Sequence, residues 1–324
     1  MNNPLVTVIT PTYNCGKYLC ETMESVLSQS YRNIQYVVID DCSTDNTQAI
    51  LAIYSDTRLT VIRNKKNMGE HRSVNEGLYR VEGKYFMYPN ADDPLLPGAI
   101  EKLVEVMEAN PELLCAYPDW YVINENSDIV HKVQTREYDF AWMVRHHTCI
   151  PSVGSIFRSR VIHAVGLRDP GFRWVSDFDY WLRIGLAGPM IRVPYTLACW
   201  RKHGTQASGV KSDARAKDHI RLMQKFSSRI GTIIHAGVVT QFVEGKDAWN
   251  TRPHERYNKA FAVYRAWGEA MCWAHLVAGS ISGSKLTALK HFARAVMFFP
   301  VVLLSFQTYY IIYTRLIHAW RKGI

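Results

Sequence analysis

Four short apolar runs, each closed by a polar cluster and separated by stretches of helical spacing, constrain the fold of this chain more than any other feature. Leu5-Val6-Thr7-Val8-Ile9-Thr10 is closed by Pro11, and Ile34 to Ile39 ends at Asp40-Asp41. Leu59 to Ile62 runs into Asn64 to Asn67, and Lys84 to Tyr88 ends in Asn90-Ala91-Asp92-Asp93. Runs of this length, rich in β-branched and aromatic residues, read as buried strands. Between them, Gly16 to Ser30 carries Leu19, Met23, Val26 and Leu27 at helical spacing. Ser43-Thr44-Asp45-Asn46-Thr47 offers helix-start chemistry for a segment reaching Tyr54, and Gly69 to Arg80 turns Val74 and Leu78 inward. Pro97 is placed to open a fourth helix, where its missing N–H costs little. This alternation predicts an α/β fold, a mostly parallel Rossmann-like sheet with helices on both faces. Past Asn110 the pattern loosens: strands are expected around Ala116 to Asn124 and Ser152 to Arg158, a helix from Asp177 to Leu186, and helices again after Ser212.

In such sheets ligands bind at the carboxyl ends of the strands, and all four carboxyl ends here are polar. Adjacent carboxylates such as Asp92-Asp93 can hold Mg²⁺ or Mn²⁺ and leave positions open for phosphate oxygens; the same Asn-Ala-Asp-Asp-Pro run also suits a plain turn. Asp41 can accept hydrogen bonds from a ribose or base, or serve with Asp40 and Asp45 to cap the next helix. Tyr13 can stack on a base or pack into its loop. The Asn67-x-Gly69 turn can offer backbone N–H groups to a diphosphate at the next helix start, or be a turn and nothing more.

Taken in order, these segments resemble the family 2 glycosyltransferases of the bacterial cell-surface polysaccharide type, which have the GT-A fold. The resemblance rests on Val6 to Asn14, Val38 to Asp45, Asn67-Met68-Gly69 with Asn75 and Gly77, and Asn90 to Asp93. Further on, Ser176-Asp177-Phe178-Asp179-Tyr180-Trp181-Leu182-Arg183 and Trp200-Arg201-Lys202-His203 with Ser208 extend it, so that it covers about residues 4–208. It implies a catalytic domain over 1–210 and a nucleotide-sugar donor contacted by Pro11, Thr12, Tyr13, Asn14, Asp41, Asn67, Gly69, Asp92 and Arg201. It implies a Mg²⁺ or Mn²⁺ ion on Asp93 and His203, and Asp177 as the base that takes a proton from an acceptor hydroxyl on a glycan or lipid-linked saccharide. A helix cap is the other reading of Asp177, and a surface histidine that of His203. Two positions depart from the family: Ser176 stands where a Glu is usual, and Cys42 where a Gly is usual. The first keeps the base and removes a neighbouring carboxylate, which leaves a non-catalytic nucleotide-sugar-binding protein of the same fold as the alternative.

The expected reaction is an inverting transfer in which the cation offsets diphosphate charge and a carboxylate deprotonates the acceptor. The Gln-x-x-Arg-Trp motif of the family's processive polymerases is missing, so one or a few sugars per encounter are expected. A dehydrogenase is disfavoured because no G-x-G-x-x-G follows the first strand. A nucleotidyltransferase would want a Gly-rich loop where Pro11 to Lys17 has Gly16 alone.

Lys and Arg exceed Asp and Glu by 9, and much of the excess lies late in the chain. Glu269 is the last acidic residue; beyond it Arg294 and Arg315 flank the uncharged, apolar stretch Ala295 to Thr314. Such a stretch in the 211–324 region suits an anionic membrane surface; a single span or a homo-oligomer contact are the alternatives. Nucleic acid is not an expected partner, since no zinc finger, RNP-type strand or basic face with interleaved aromatics is present. The seven cysteines are odd in number and lack metal-ligand spacing, and Met1-Asn2-Asn3-Pro4 has no signal-peptide character. The expected location is cytoplasmic, peripheral on the inner face of the cell membrane.

Overall fold

Strand β1 (Val6–Thr12) is buried along its whole length, as a continuous apolar run requires when both faces of a sheet are covered. The computed structural model describes residues 3–204, 206, 214, 217–226, 267–268, 271, 290 and 293–294. The apolar stretch 295–314, and with it the expected membrane contact, lies outside the described residues. After β1 come α1 (Gly16–Leu27), β2 (Ile34–Asp40), α2 (Thr47–Leu51), β3 (Leu59–Arg63), α3 (Glu70–Leu78), β4 (Tyr85–Met87) and α4 (Ala99–Ala109). Then follow β5 (Cys115–Ile123), β6 (Ile129–Val133), α5 (Phe140–His146), β7 (Ile156–Arg158), α6 (Arg160–Val165), α7 (Ser176–Ala187) and β8 (Met190–Arg201).

The strands form one sheet in the order β3-β2-β1-β4-β7-β5-β6, with β8 beside β5. The first four run parallel, β7 is antiparallel to both β4 and β5, and β8 runs parallel to β5. The expected α/β architecture is therefore present, with a mixed second half. On one face Val6, Val8, Tyr36, Val38, Tyr85 and Met87 pack against Leu19, Met23 and Val26 of α1 and Ile100, Leu103 and Met107 of α4. On the other face α3 lies close to the sheet: a Cβ on Gly77 would sit 2.3 Å from Ile9 Cγ2 and 3.1 Å from Ile39 Cδ1. A glycine there allows the approach that any side chain would block.

Pro11 does not end β1 as expected. Val6 N–H and Thr12 C=O both bond toward the β2 side, so the alternate residue Pro11 faces β4, whose pairing stops at Val8. No ladder bond is lost there, and proline is tolerated. The fourth helix starts at Ala99 rather than at Pro97, because Gly98 takes a left-handed conformation (φ 75°) and delays the first turn.

Among the described residues, two compact units are distinguished. The first takes in residues through Asp139 and Cys149–Gly209 and carries the sheet. The second includes Phe140–Thr148 and the described residues from 214 onward. Within it, residues 217–226 are helical, Phe140 meets Phe226 edge-on at 6.1 Å, and Trp267 Nε1 donates to Met223 O at 2.8 Å.

Candidate active site

The loops after β1, β2 and β3 are laced together by their own polar side chains. Asn14 has a positive φ of 50°, a conformation Asn tolerates better than most residues. Its Oδ1 accepts the Thr44 N–H at 2.7 Å, and its own N–H donates to Ser43 Oγ at 3.0 Å. Asp45 accepts from Gly16 N–H at 2.9 Å and Thr47 N–H at 3.0 Å, so one carboxylate fixes the starts of α1 and α2. Pro11 pairs in register with Ile39. Tyr13 is 48 % exposed beside Thr12, which is buried with an Oγ1 that has no hydrogen-bond partner. A buried hydroxyl left unpaired calls for an explanation, and a ligand at the end of β1 is one.

Asp41 and the Asn67–Gly69 turn are bonded to each other. Asp41 is buried, and its two oxygens accept from Asn64 Nδ2 (2.7 Å), Met68 N–H (2.9 Å) and Gly69 N–H (2.8 Å). Asn67 Oδ1 also accepts from Gly69 N–H, at 3.1 Å. The turn's amides, expected at a diphosphate, are spent on Asp41, and Asp41 is spent on the turn. The pair sets the entry to α3, where Gly69 supplies the positive φ of 89°.

After β4 the two aspartates have separate fates. Asp93 is buried, and its Oδ1 and Oδ2 accept from Arg201 N–H and Asn90 Nδ2, both at 2.9 Å. Burial, and then the adjacent Asp92 charge, push its carboxyl up to about 8. Each oxygen accepts one protein hydrogen bond, and the carboxylate is more enclosed than that of Asp92. Asp92 keeps a partly exposed carboxylate, and its Oδ2 lies 2.8 Å from His203 Nε2. The His203 ring rests 5.0 Å from Tyr18 of α1. Beside them the Cys15 thiol is pushed up to about 12, first by burial and then by Asp92.

Arg201, expected to touch the donor, is 0 % exposed. Its guanidinium donates to Asp92 O (3.1 Å), Asn124 O (3.0 Å), Ser127 Oγ (2.9 Å) and Glu21 Oε2 (2.5 Å), and stacks over Tyr18 at 4.7 Å. No face remains for a ligand; the residue fixes the loop that bears Asp92 and the strand end that leads to His203.

Asp177 is the second residue of α7, not its cap; the cap position is Val175, and no side chain caps it. Asp177 Oδ1 accepts the Phe178 N–H at 2.7 Å. The residue is exposed, and partial desolvation raises its carboxyl above the ordinary aspartate value against the pull of Arg168. Asp179 is fully buried and bonded to Arg183 at 2.8 Å, and Arg183 in turn donates to Val165 O and to Leu167 O. One carboxylate of the helix start thus faces solvent and the other anchors the helix, as a two-residue offset on a helix dictates. Sequence reasoning missed Tyr18, Glu21, Glu70 and Arg168. Tyr18 adjoins the apolar stripe of α1 without belonging to it, and Arg168 lies in an irregular segment with no period to mark it.

A divalent cation is implied by the family resemblance, and the side chains fit one. Asp92 offers a carboxylate whose Oδ1 has no protein partner among the described residues, with an imidazole 2.8 Å from its other oxygen. Among the described residues no three His, Cys, Asp or Glu side chains form a cage. Mg²⁺ and Mn²⁺ sites with one or two protein ligands, completed by phosphates and water, are built in this way.

The family profile for glycosyl transferase family 2 matches residues 7–166. An uncharacterized glycosyltransferase of Haemophilus influenzae is 32% identical over 222 residues, 64% of this chain and 69% of that protein. Of two other relatives, 29% and 28% identical, the chain spans 65% and 58%, under two thirds of their length. Among solved structures, S. aureus TarS 1-349 in complex with UDP-GlcNAc superposes with a TM-score of 0.61 at 17% identity, covering 98% of this chain and 92% of that one. The mannosyltransferase PcManGT of Pyrobaculum calidifontis, in complex with GDP-Man and Mn²⁺, does so with a TM-score of 0.53 at 19% identity, covering 99% and 89%. At such identities the two structures share the fold, a GT-A arrangement of sheet and helices. The ordered motifs, the sheet that presents them and the Haemophilus relative agree: the chain belongs to glycosyl transferase family 2.

Proposed function

We propose that the chain is an inverting, cation-dependent transferase that moves a sugar from a nucleoside-diphosphate-sugar, of the UDP or dTDP type, to a hydroxyl of a glycan or lipid-linked saccharide. The observation that carries this reading is Asp177: an exposed carboxylate at the start of α7 whose proton affinity is raised. A general base works best when its pKa approaches the operating pH. TarS in complex with UDP-GlcNAc supports the donor class, and PcManGT in complex with Mn²⁺ supports the cation.

The donor's base meets the exposed ring of Tyr13, and the orphan Thr12 Oγ1 finds its partner on the nucleotide. Asp92, with His203 beside it, holds the cation, which when bound offsets the charge of the diphosphate leaving group. The acceptor oxygen forms its bond to the anomeric carbon as the bond from that carbon to the phosphate oxygen breaks. The acceptor's proton passes to a carboxylate oxygen of Asp177. Attack opposite the leaving group inverts the anomeric centre. Attachment through 295–314 to an anionic membrane surface would bring the site to a lipid-linked acceptor.

Two neighbouring substitutions test the cation assignment. Asp92→Asn is expected to abolish Mn²⁺-dependent donor binding, read by thermal shift with UDP-sugar and Mn²⁺ against EDTA. Asp93→Asn is expected to keep that dependence and lose about 1–3 kcal/mol of stability, because an amide turns a donor toward one of two protein donors. The reverse pattern would return the cation to Asp93.

A further inference from the structure

Two histidines of the second unit face each other through their Nδ1 atoms. Phe140, at the start of α5, meets Phe226, and His147, just past the end of α5, meets His219. α5 and the helical segment 217–226 therefore run antiparallel, with an aromatic contact at one end of the pair and an imidazole contact at the other. The two contacts are seven positions apart on both segments, about 10 Å of helix, so the spacings match. The His147 and His219 Nδ1 atoms lie 3.2 Å apart, with ring centres 5.2 Å apart and planes inclined at 44°. Both residues are half-buried, so water reaches them. His147 has a positive φ of 50°, in the place after a helix where glycine is usual, and Thr148 N–H bonds back to Met143 O. The side chain that a glycine would lack is the one that meets His219.

We infer that His147 and His219 form a site for a transition-metal ion that prefers imidazole, of the Zn²⁺ type, and that the ion clips the end of α5 to the helix 217–226. Two nitrogens bound to one tetrahedral Zn²⁺ at about 2.0–2.1 Å lie about 3.3–3.4 Å from each other. The pair is already close to that spacing, and its 3.2 Å is the far end of the hydrogen-bond range. In the metal-free pair one Nδ1 carries the proton and the other accepts it. On binding, both Nδ1 lone pairs turn to the ion: the shared Nδ1 proton leaves to solvent, and Nε2 of the same ring takes one up, so each neutral ring keeps a single proton on Nε2. Ligand softness separates this site from the carboxylate of Asp92, since imidazole suits Zn²⁺ and oxygen suits Mg²⁺. Among the described residues no third His, Cys, Asp or Glu joins the pair, so the ion completes its shell with water and is held less tightly than in a closed four-ligand site. Nothing in this site depends on the transfer reaction.

The test titrates Zn²⁺, and Mg²⁺ as a control, into the full chain carrying Asp92→Asn, without nucleotide, so that the carboxylate beside His203 does not contribute. Calorimetry reads stoichiometry and affinity, and melting curves read stabilisation. Expected is one Zn²⁺ per chain at a micromolar Kd, a melting temperature raised by a few degrees at saturating Zn²⁺, and no response to Mg²⁺. His147→Asn, whose side chain tolerates the positive φ, and His219→Gln are each expected to weaken Zn²⁺ binding by more than about tenfold, the loss that even an outer-shell partner can cause. Zn²⁺ bound equally by the parent and both variants, or bound only at millimolar concentration, overturns the inference. So does a pair that is hydrogen-bonded and nothing more: both substitutions then lower the metal-free melting temperature, and Zn²⁺ moves none of the three. Either variant carries the test where the other does not fold.

Discussion

Asp177→Asn is expected to lower turnover by a factor on the order of 10²–10⁴ while donor affinity stays at the wild-type level. The substitution changes charge and almost nothing else. An amide oxygen can still accept the Phe178 N–H that Asp177 Oδ1 holds at 2.7 Å, so the first turn of α7 keeps its local bond. The lost negative charge near the helix start costs about 0.3–1 kcal/mol, too little to unfold a domain of this size. What disappears is the proton acceptor, and the acceptor hydroxyl must then attack without one. Steady-state kinetics with a calorimetric donor titration separate the outcomes. A fall in donor affinity with turnover intact would make Asp177 a donor ligand.

Arg201→Met is expected to cost about 3–5 kcal/mol of stability, because several enclosed acceptors lose their donor at about 1–3 kcal/mol each. Methionine can fill much of the volume over Tyr18, but it supplies no donor to Asp92 O, Asn124 O, Ser127 Oγ or Glu21. Glu21 is partly exposed and can turn to water, which puts the cost toward the lower end. The readout is the urea midpoint. Loss of Mn²⁺-dependent donor binding should accompany it, since the same guanidinium fixes the backbone of Asp92. A variant with a wild-type midpoint and no donor binding would restore Arg201 as a ligand.

The parallel half of the sheet was legible because burial on both faces leaves a continuous apolar run, and β1 and β2 are such runs. The positions of Asp92 and Asp177 followed from the same order of elements together with the family resemblance. What the motifs did not reveal was which polar side chain faces a ligand and which faces protein. Asp41, Asp93 and Arg201 stand in ligand-like positions and spend their hydrogen bonds inward, a difference set by side-chain direction that no spacing records. β6 went unread because it is an exposed edge strand whose Ile129 and Val130 face solvent, so the alternation of a half-buried strand is missing. α5 and α6 went unread because helices of 7 and 6 residues are too short to show a period.

The central claim is a single displacement in which Asp177 takes the proton and the sugar inverts. It is tested most directly by the configuration of the anomeric centre in the first product. An α-linked UDP-sugar, chosen as the one that most raises the melting temperature of the protein with Mn²⁺, is turned over and followed by proton NMR before mutarotation proceeds. The account predicts that the sugar first transferred, to acceptor or to water, carries the β configuration, and that Asp177→Asn yields neither anomer at a comparable rate. A product that is α from the first spectrum would contradict it.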